Sequence, residues 1–165
     1  MNTLLKKILT SALLLGSLFS LQAAHAAPVQ DLKGRNVVLV HGAFADGSSW
    51  DKVIPLLEAR GLHVVAVQNP LSSLNDDVAA TRRVIEQQDG PVVLVGHSWG
   101  GVVITQAGNE DKVKSLVYVA AFAPDSGQSI NDMLKGKPAP AWASALQKAS
   151  AGFLTLSTDA VIHQL

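Results

Sequence analysis

The chain has 165 residues, in which 13 lysines and arginines balance 13 aspartates and glutamates, and it contains no cysteine. Because the charge is balanced and no basic stripe is present, no nucleic-acid partner is expected. Without cysteine the chain can form no disulfide and carry no lipid on a cysteine. No histidine cluster has the spacing of metal ligands, so we predict no metal site.

The N-terminal segment, residues 1–26, has the pattern of a secretory signal peptide. Lys6 and Lys7 give it a basic start, residues 8–21 are mostly apolar, and Ala24-His25-Ala26 places small residues at the expected cleavage site. The alternative is a permanent membrane anchor, but the apolar run is shorter than the roughly 20 residues that span a bilayer. We therefore expect cleavage before Ala27, no stable membrane anchor afterwards, and a secreted or periplasmic protein.

Residues 27–165 are predicted to form part of one α/β domain. Apolar strands alternate with helices, a pattern typical of a mostly parallel sheet flanked by helices. The predicted strands are 36–40, 63–67, 92–95 and 113–121, and the predicted helices are 48–60, 73–88 and 101–109.

Two helix starts are predicted from capping patterns. Ser48 with Asp51 reads as a capping box at the start of the first helix, which Gly61 would end. Ser73 with Asp76 reads as the start of the second helix.

From Phe122 onward the pattern weakens, because glycines and prolines interrupt it. Residues 141–149 are predicted to form a short helix and residues 153–165 the start of another, with no further strand. We therefore divide the domain into a core, residues 36–121, and the start of a cap, residues 122–165.

The third strand leads directly into Gly96-His97-Ser98-Trp99-Gly100 and then into a helix. Gly-x-Ser-x-Gly occurs by chance in many proteins, but here it has the strand before it and the helix after it that a nucleophilic serine requires. The sequence does not fit a dinucleotide fingerprint or a phosphate-binding loop. Ser98 is therefore the predicted nucleophile.

The loop after the first strand, His41-Gly42-Ala43-Phe44, is the second candidate element. We predict that the backbone amides of Ala43 and Trp99 form an oxyanion hole. The alternative is an ordinary glycine-rich turn. Phe44 and Trp50 are predicted to line an apolar pocket with Trp99, although core packing explains any single aromatic residue about as well.

These motifs, together with residues 118–124 (Tyr-Val-Ala-Ala-Phe-Ala-Pro), resemble the α/β-hydrolase superfamily. Within it, the chain is most similar to small esterases related to methyl-salicylate esterases and hydroxynitrile lyases. The resemblance implies a sheet of about eight strands or slightly fewer, a helical cap after the strand ending near Ala121, and a serine–acid–histidine triad without a cofactor.

The resemblance also implies that the triad acid and histidine follow the cap, and we expect this chain to end inside the cap, as a C-terminally truncated member. His25 leaves with the signal peptide, and His41 is expected to brace the oxyanion loop. His63 begins a strand, His97 adjoins Ser98 but points elsewhere, and His163 lies near the C-terminus. None of the five is assigned as the base.

Asp125 follows the fourth strand, where some members of the superfamily hold their acid; the alternative is a solvated turn carboxylate.

The resulting hypothesis is a serine hydrolase that acts on a small apolar carboxylic ester by acyl transfer through Ser98. The alternatives are a catalytically incomplete fragment or pseudoenzyme, and a lyase of the hydroxynitrile-lyase type. The lyase would need a cation from the cap, a role that cannot be assigned to Lys135 or Lys137, and no oligomeric state is predicted.

Overall fold

The computed structural model describes residues 35–164, so the predicted signal peptide lies outside the described residues. A four-stranded parallel sheet has the strand order β2-β1-β3-β4. Its strands are β1 (Asn36–Val40), β2 (His63–Ala66), β3 (Val92–His97) and β4 (Val113–Val119). This confirms the predicted fold class.

Five α-helices, three 3₁₀ helices and a small hairpin complete the described chain. The α-helices are α1 (Ile54–Glu58), α2 (Leu74–Glu86), α3 (Trp99–Ala107), α4 (Ile130–Leu134) and α5 (Thr158–Gln164). The 3₁₀ helices are Gly47–Trp50, Ala141–Ala145 and Ser150–Gly152, and the hairpin strands are β5 (Leu146–Lys148) and β6 (Leu154–Leu156).

The core lies on both faces of the sheet. Val38 and Val40 of β1 pack into a cluster that also contains residues of α2 and α3. Val37 and Leu39, which alternate with them, pack into a second cluster with Trp50. Because alternate side chains of a strand point to opposite faces, a continuous apolar run is what a strand covered on both sides needs.

The start of α2 is confirmed by its cap. The Ser73 side chain accepts a hydrogen bond from the backbone N–H of Asp76 at 3.1 Å. This bond satisfies one of the amides that have no partner inside the first turn of a helix.

The predicted helix over residues 48–60 is wrong. The segment contains the 3₁₀ helix Gly47–Trp50 and the separate helix α1. Pro55 lacks an N–H and its ring crowds the preceding turn, so a helix can begin near it but not run through it. The cap residue is Asp46, which accepts from the Ser48 N–H at 2.8 Å, and not Ser48.

The prediction of no strand after residue 122 is also wrong. β5 and β6 pair antiparallel, with Leu146 opposite Leu156, and the predicted helix over 141–149 ends as a 3₁₀ helix at Ala145. Strands of three residues are too short to show a two-residue period. The turn between them has Ala151 and Gly152 at positive φ.

β4 is one of the two edge strands of the described sheet, and most of its residues are exposed. Across residues 35–164, no helix is both long enough and apolar enough to cross a membrane.

Candidate active site

The sharp turn predicted at Ser98 joins the end of β3 to the start of α3. Ser98 has φ 51° and ψ −117°, a conformation that costs a residue with a side chain on the order of 1–3 kcal/mol. A Cβ on Gly96 would lie 2.5 Å from the Gly100 carbonyl oxygen, and one on Gly100 would overlap the carbonyl oxygen of Val40. The turn therefore requires both glycines of the motif.

The backbone of this turn is fixed from two sides. The Ser98 carbonyl accepts hydrogen bonds from the N–H groups of Gly101 at 3.0 Å and Phe122 at 3.1 Å. Phe122 follows β4, so the segment after the fourth strand supports the turn after the third. A Cβ on Gly101 would overlap the Phe122 carbonyl oxygen, which explains the second glycine of the Gly100-Gly101 pair.

The loop after β1 lies directly against Ser98. A Cβ on Gly42 would lie 3.0 Å from the Ser98 Cβ, so the two backbones approach as closely as side chains permit. Ala43, Ser98 and Trp99 line the same cavity. The oxyanion hole of Ala43 and Trp99 stays a prediction, and the placement of the three residues is compatible with it.

His41 braces this loop, as the sequence suggested. Its Nδ1 lies 2.9 Å from the carbonyl oxygen of Gly42, and its Nε2 lies 3.0 Å from the backbone N of Asn69. Because a carbonyl only accepts and an N–H only donates, Nδ1 carries the proton and Nε2 accepts. Both ring nitrogens therefore have partners, and neither is free for the chemistry of Ser98.

The other described histidines make no hydrogen bond to Ser98, although His97 lines the same cavity. His63 lies at the opposite end of the sheet, where its Nδ1 donates to Asn36 and Gln88. The ring of His97 packs edge-on against Trp50, with centroids 6.4 Å apart. His163 pairs with Asp159 at 3.7 Å on the exposed face of α5. The hydrogen bonds and ion pairs of these rings thus identify no base.

Asp125 and the two cap lysines stand outside the Ser98 cavity. Asp125 is exposed in a turn, where its N–H donates to the side chain of Gln128 at 3.0 Å. Lys135 and Lys137 are exposed and are not among the residues that line the cavity. The structure therefore brings none of these three charges to Ser98.

The cavity at Ser98 has a volume of about 490 Å³ and mainly apolar walls. Phe44 and Trp50 are among the residues that line it. Trp142 also lines it, and its ring lies 6.4 Å from that of Phe44. Trp142 could not be assigned to the cavity from the sequence, because its segment has no period that would indicate which way an aromatic side chain faces.

A buried carboxylate next to the site was also missed. Asp77 of α2 is fully buried, and its Oδ2 accepts a hydrogen bond from the indole Nε1 of Trp99 at 2.7 Å. Thr81 and Ile85, which follow at steps of four residues, are buried as well. An aspartate in register with a buried helix face was the available signal.

No group of three or more histidine, cysteine, aspartate or glutamate side chains in the described part of the chain could hold a metal ion. What the site offers is a half-buried serine at a strained turn, packed against the loop after β1 and lining an apolar cavity. Such an arrangement suits nucleophilic attack on a polarised carbonyl.

A parallel sheet in which a central strand runs through Gly-x-Ser-x-Gly into a helix is the α/β-hydrolase fold. A model of the alpha/beta hydrolase family matches residues 37–163. The chain belongs to that family.

Named relatives share its sequence over a part of their length. Salicylic acid-binding protein 2 from Nicotiana tabacum is 38% identical over 109 residues, which are 57% of this chain and 42% of the relative. Methylesterase 2 from Arabidopsis thaliana is 34% identical over 116 residues, 61% of this chain and 44% of the relative. The chain thus spans less than half the length of these two relatives.

Solved structures share the fold. The crystal structure of a pyrethroid hydrolase from Sphingobium faniae JZ-2 matches with a TM-score of 0.64 and 23% identity. The match covers 78% of this chain and 58% of the other.

Proposed function

We propose that the chain supplies the nucleophile and the oxyanion hole of an ester hydrolase, and that its substrate is a small apolar carboxylic ester. The observation that carries the proposal is the strained Ser98 at the strand-to-helix turn, which shares an apolar cavity with Ala43 and Trp99. Relatives named as a methylesterase and a pyrethroid hydrolase support the reaction class.

In the proposed reaction the Ser98 oxygen bonds to the ester carbonyl carbon while a base takes the hydroxyl proton. The carbonyl oxygen becomes an oxyanion that accepts hydrogen bonds from the Ala43 and Trp99 amides. One such donor is worth about 3 kcal/mol of barrier. Collapse of this intermediate breaks the ester C–O bond, the alcohol leaves with a proton, and water then hydrolyses the acyl-serine.

The second candidate is a binding protein without turnover. It is favoured by one observation: none of the hydrogen bonds made by His41, His63 or His163 reaches Ser98. In another serine hydrolase, loss of the histidine alone lowers turnover about a millionfold, so the two candidates differ greatly in rate.

A fluorophosphonate probe tests the proposal. Attack by the Ser98 oxygen forms a P–O bond and releases fluoride, so we expect stoichiometric labelling that Ser98→Ala abolishes. Ser49→Ala is the matched control, because Ser49 lines the same cavity but is exposed and donates to the Asp46 carbonyl. Folded protein that stays unlabelled would overturn the hydrolase and leave the binding protein.

Ester and cyanohydrin substrates then separate hydrolase from lyase. The proposal expects Ser98-dependent release of alcohol from aryl esters and no cleavage of cyanohydrins, because neither Lys135 nor Lys137 lines the cavity. Cyanohydrin cleavage without ester hydrolysis would favour the lyase.

We also propose that the protein is exported and that residues 1–26 are removed, on the basis of the sequence pattern alone. N-terminal sequencing of protein recovered from outside the cytoplasm should begin at Ala27. A mature protein that retains Lys6 and Lys7 would overturn this proposal.

A further inference from the structure

Asp77 is a buried carboxylate that the reaction proposed above does not use. It lies in the first turn of α2 with no exposed surface. Its Oδ1 accepts from the backbone N–H of Leu71 at 2.8 Å, and its Oδ2 accepts from the Trp99 indole at 2.7 Å. Within residues 35–164, no lysine, arginine or histidine nitrogen lies within ion-pair distance of Asp77.

Burying a carboxylate without a cation is costly unless hydrogen bonds replace the lost water. Here two N–H donors and the N-terminal turn of a helix supply that compensation. A fully satisfied buried polar group fixes one arrangement of its partners, because each alternative leaves a donor or an acceptor unpaired. The partners in question are the loop at Leu71, which has φ 55°, and the Trp99 side chain.

Trp99 lines more than one cavity near the nucleophile. It lines the Ser98 cavity of about 490 Å³ and also a second cavity of about 470 Å³, which we call the Leu71 cavity. Ala43, Phe44, Trp99 and Leu154 line both, so the two cavities meet beside the predicted oxyanion loop. The hydrogen bond between Trp99 and Asp77 therefore joins a residue that lines both cavities to a residue that lines the Leu71 cavity.

We propose that Asp77 is a positioning residue that, through its hydrogen bond to the Trp99 indole, keeps the Ser98 and Leu71 cavities apart as two binding sites for the two sides of one ester. This rests on the proposed function and deepens it: the substrate carries an apolar group on each side of the carbonyl, one for each cavity. Without the bond, discrimination between esters of different size decreases.

Asp77→Asn tests the bond, because an amide keeps the shape but offers one acceptor oxygen to two donors. Asp76→Asn is the matched control. It removes the same charge from the same helical turn, but Asp76 is exposed and bonds to Ser72 and Ser73 instead of Trp99.

The first measurement does not need activity. The chain has three tryptophans, so replacing Trp50 and Trp142 by phenylalanine leaves Trp99 as the reporter. We expect Asp77→Asn to shift the Trp99 emission maximum and lower its anisotropy, and Asp76→Asn to leave both unchanged. Unchanged emission and anisotropy in Asp77→Asn would overturn the proposal.

The second measurement uses turnover of matched ester series. Asp77→Asn should raise KM about ten-fold for esters that are bulky on both sides, which is the loss of affinity expected for one hydrogen bond. Its kcat should stay within a factor of two of the wild-type value. Asp76→Asn should match the wild type in both constants. A fall in kcat alone, with KM unchanged, would contradict a role in dividing the cavities.

A third variant covers the case in which Asp77→Asn does not fold. Trp99→Phe removes the indole donor, which leaves the Leu71 N–H as the remaining donor to the side chain at position 77. The single oxygen of asparagine can accept from it, so the double variant Trp99→Phe/Asp77→Asn should fold. If the double variant also fails to fold, Asp77 acts through Leu71 and the proposal is wrong.

If the wild type shows no Ser98-dependent labelling or turnover, the proposed function fails, while the fluorescence result still decides the role of Asp77.

Discussion

β3 and β4 are neighbouring strands with similar apolar sequences and opposite environments. Leu94 of β3 has no exposed surface, whereas Leu116, its register partner on β4, is 37% exposed, and Val117 is 41% exposed. β3 lies between two strands and under helices on both faces, and β4 is an edge. A continuous apolar run therefore shows that a strand suits burial on both faces, but the neighbours decide whether it is buried.

The same contrast divides the molecule into two parts. Residues 36–107, which we call the elbow half after the strand-to-helix turn at Ser98, contain β1 to β3, both core clusters and that turn. The rear half, residues 113–164, contains β4, two short helices and the β5–β6 hairpin, with few buried side chains. Stability should therefore be concentrated in the elbow half.

The largest expected effect is the difference between two matched leucine truncations. Leu94→Ala should lower the free energy of unfolding by about 2–5 kcal/mol, because it removes fully buried methyl groups and leaves a cavity. Leu116→Ala should cost about 1 kcal/mol or less, since solvent already reaches that side chain. Urea unfolding followed by circular dichroism measures both. Equal losses would mean that β4 is covered in solution and would remove the contrast.

Prediction from the sequence succeeds where the residues themselves determine the local structure. The continuous apolar run of β1, the Ser73 cap of α2 and the two glycines around Ser98 are each visible as a short pattern in the sequence. These features fixed the parallel sheet and the position of the turn. His41 could also be assigned to the loop, because it precedes Gly42 directly.

It failed where the outcome depends on contacts between distant segments. The hydrogen bond from Trp99 to Asp77 spans 22 residues and exists because α2 packs beside α3. Trp142 reaches Phe44 across nearly 100 positions in a segment without period. Only the break near Pro55 was visible in the sequence, and there the capping pattern was given too much weight over the proline.

The second prediction compares backbone strain in the two halves. Ser98→Gly should raise the free energy of unfolding by about 1 kcal/mol over Ser98→Ala, because glycine adopts φ 51° and ψ −117° without a Cβ penalty. In the rear half, Ala151 has φ 57° and ψ 26°, a region that L-residues tolerate better. Ala151→Gly should therefore raise the free energy of unfolding by less than Ser98→Gly raises it over Ser98→Ala. Thermal unfolding of the three variants measures the difference, and a larger gain at Ala151 would place the greater strain outside the site.

The smallest effect separates two carboxylates in similar surroundings. Hydrogen bonds from the Ser129 side chain and backbone lower the pKa of Asp132, at the start of α4. Those from Ser72 and Ser73 lower the pKa of Asp76, at the start of α2. A carboxyl whose pKa is lowered in the folded state stabilises that state at pH values above 3.8, its ordinary pKa. This contribution is lost as the pH falls through the lowered pKa.

The consequences of protonation differ because the helices differ in burial. α4 has no buried residue, so protonating Asp132 should open α4 locally and leave the melting temperature nearly unchanged. α2 buries one face in the core, so protonating Asp76 should lower the global melting temperature slightly. Amide exchange of α4 and thermal melts of the wild type, Asp132→Asn and Asp76→Asn, each followed from neutral to acid pH, separate the two, because each variant loses the part of the wild-type acid response that its own carboxyl causes. An equal drop in melting temperature for both would show that α4 unfolds together with the sheet, and the two halves would then form one cooperative unit.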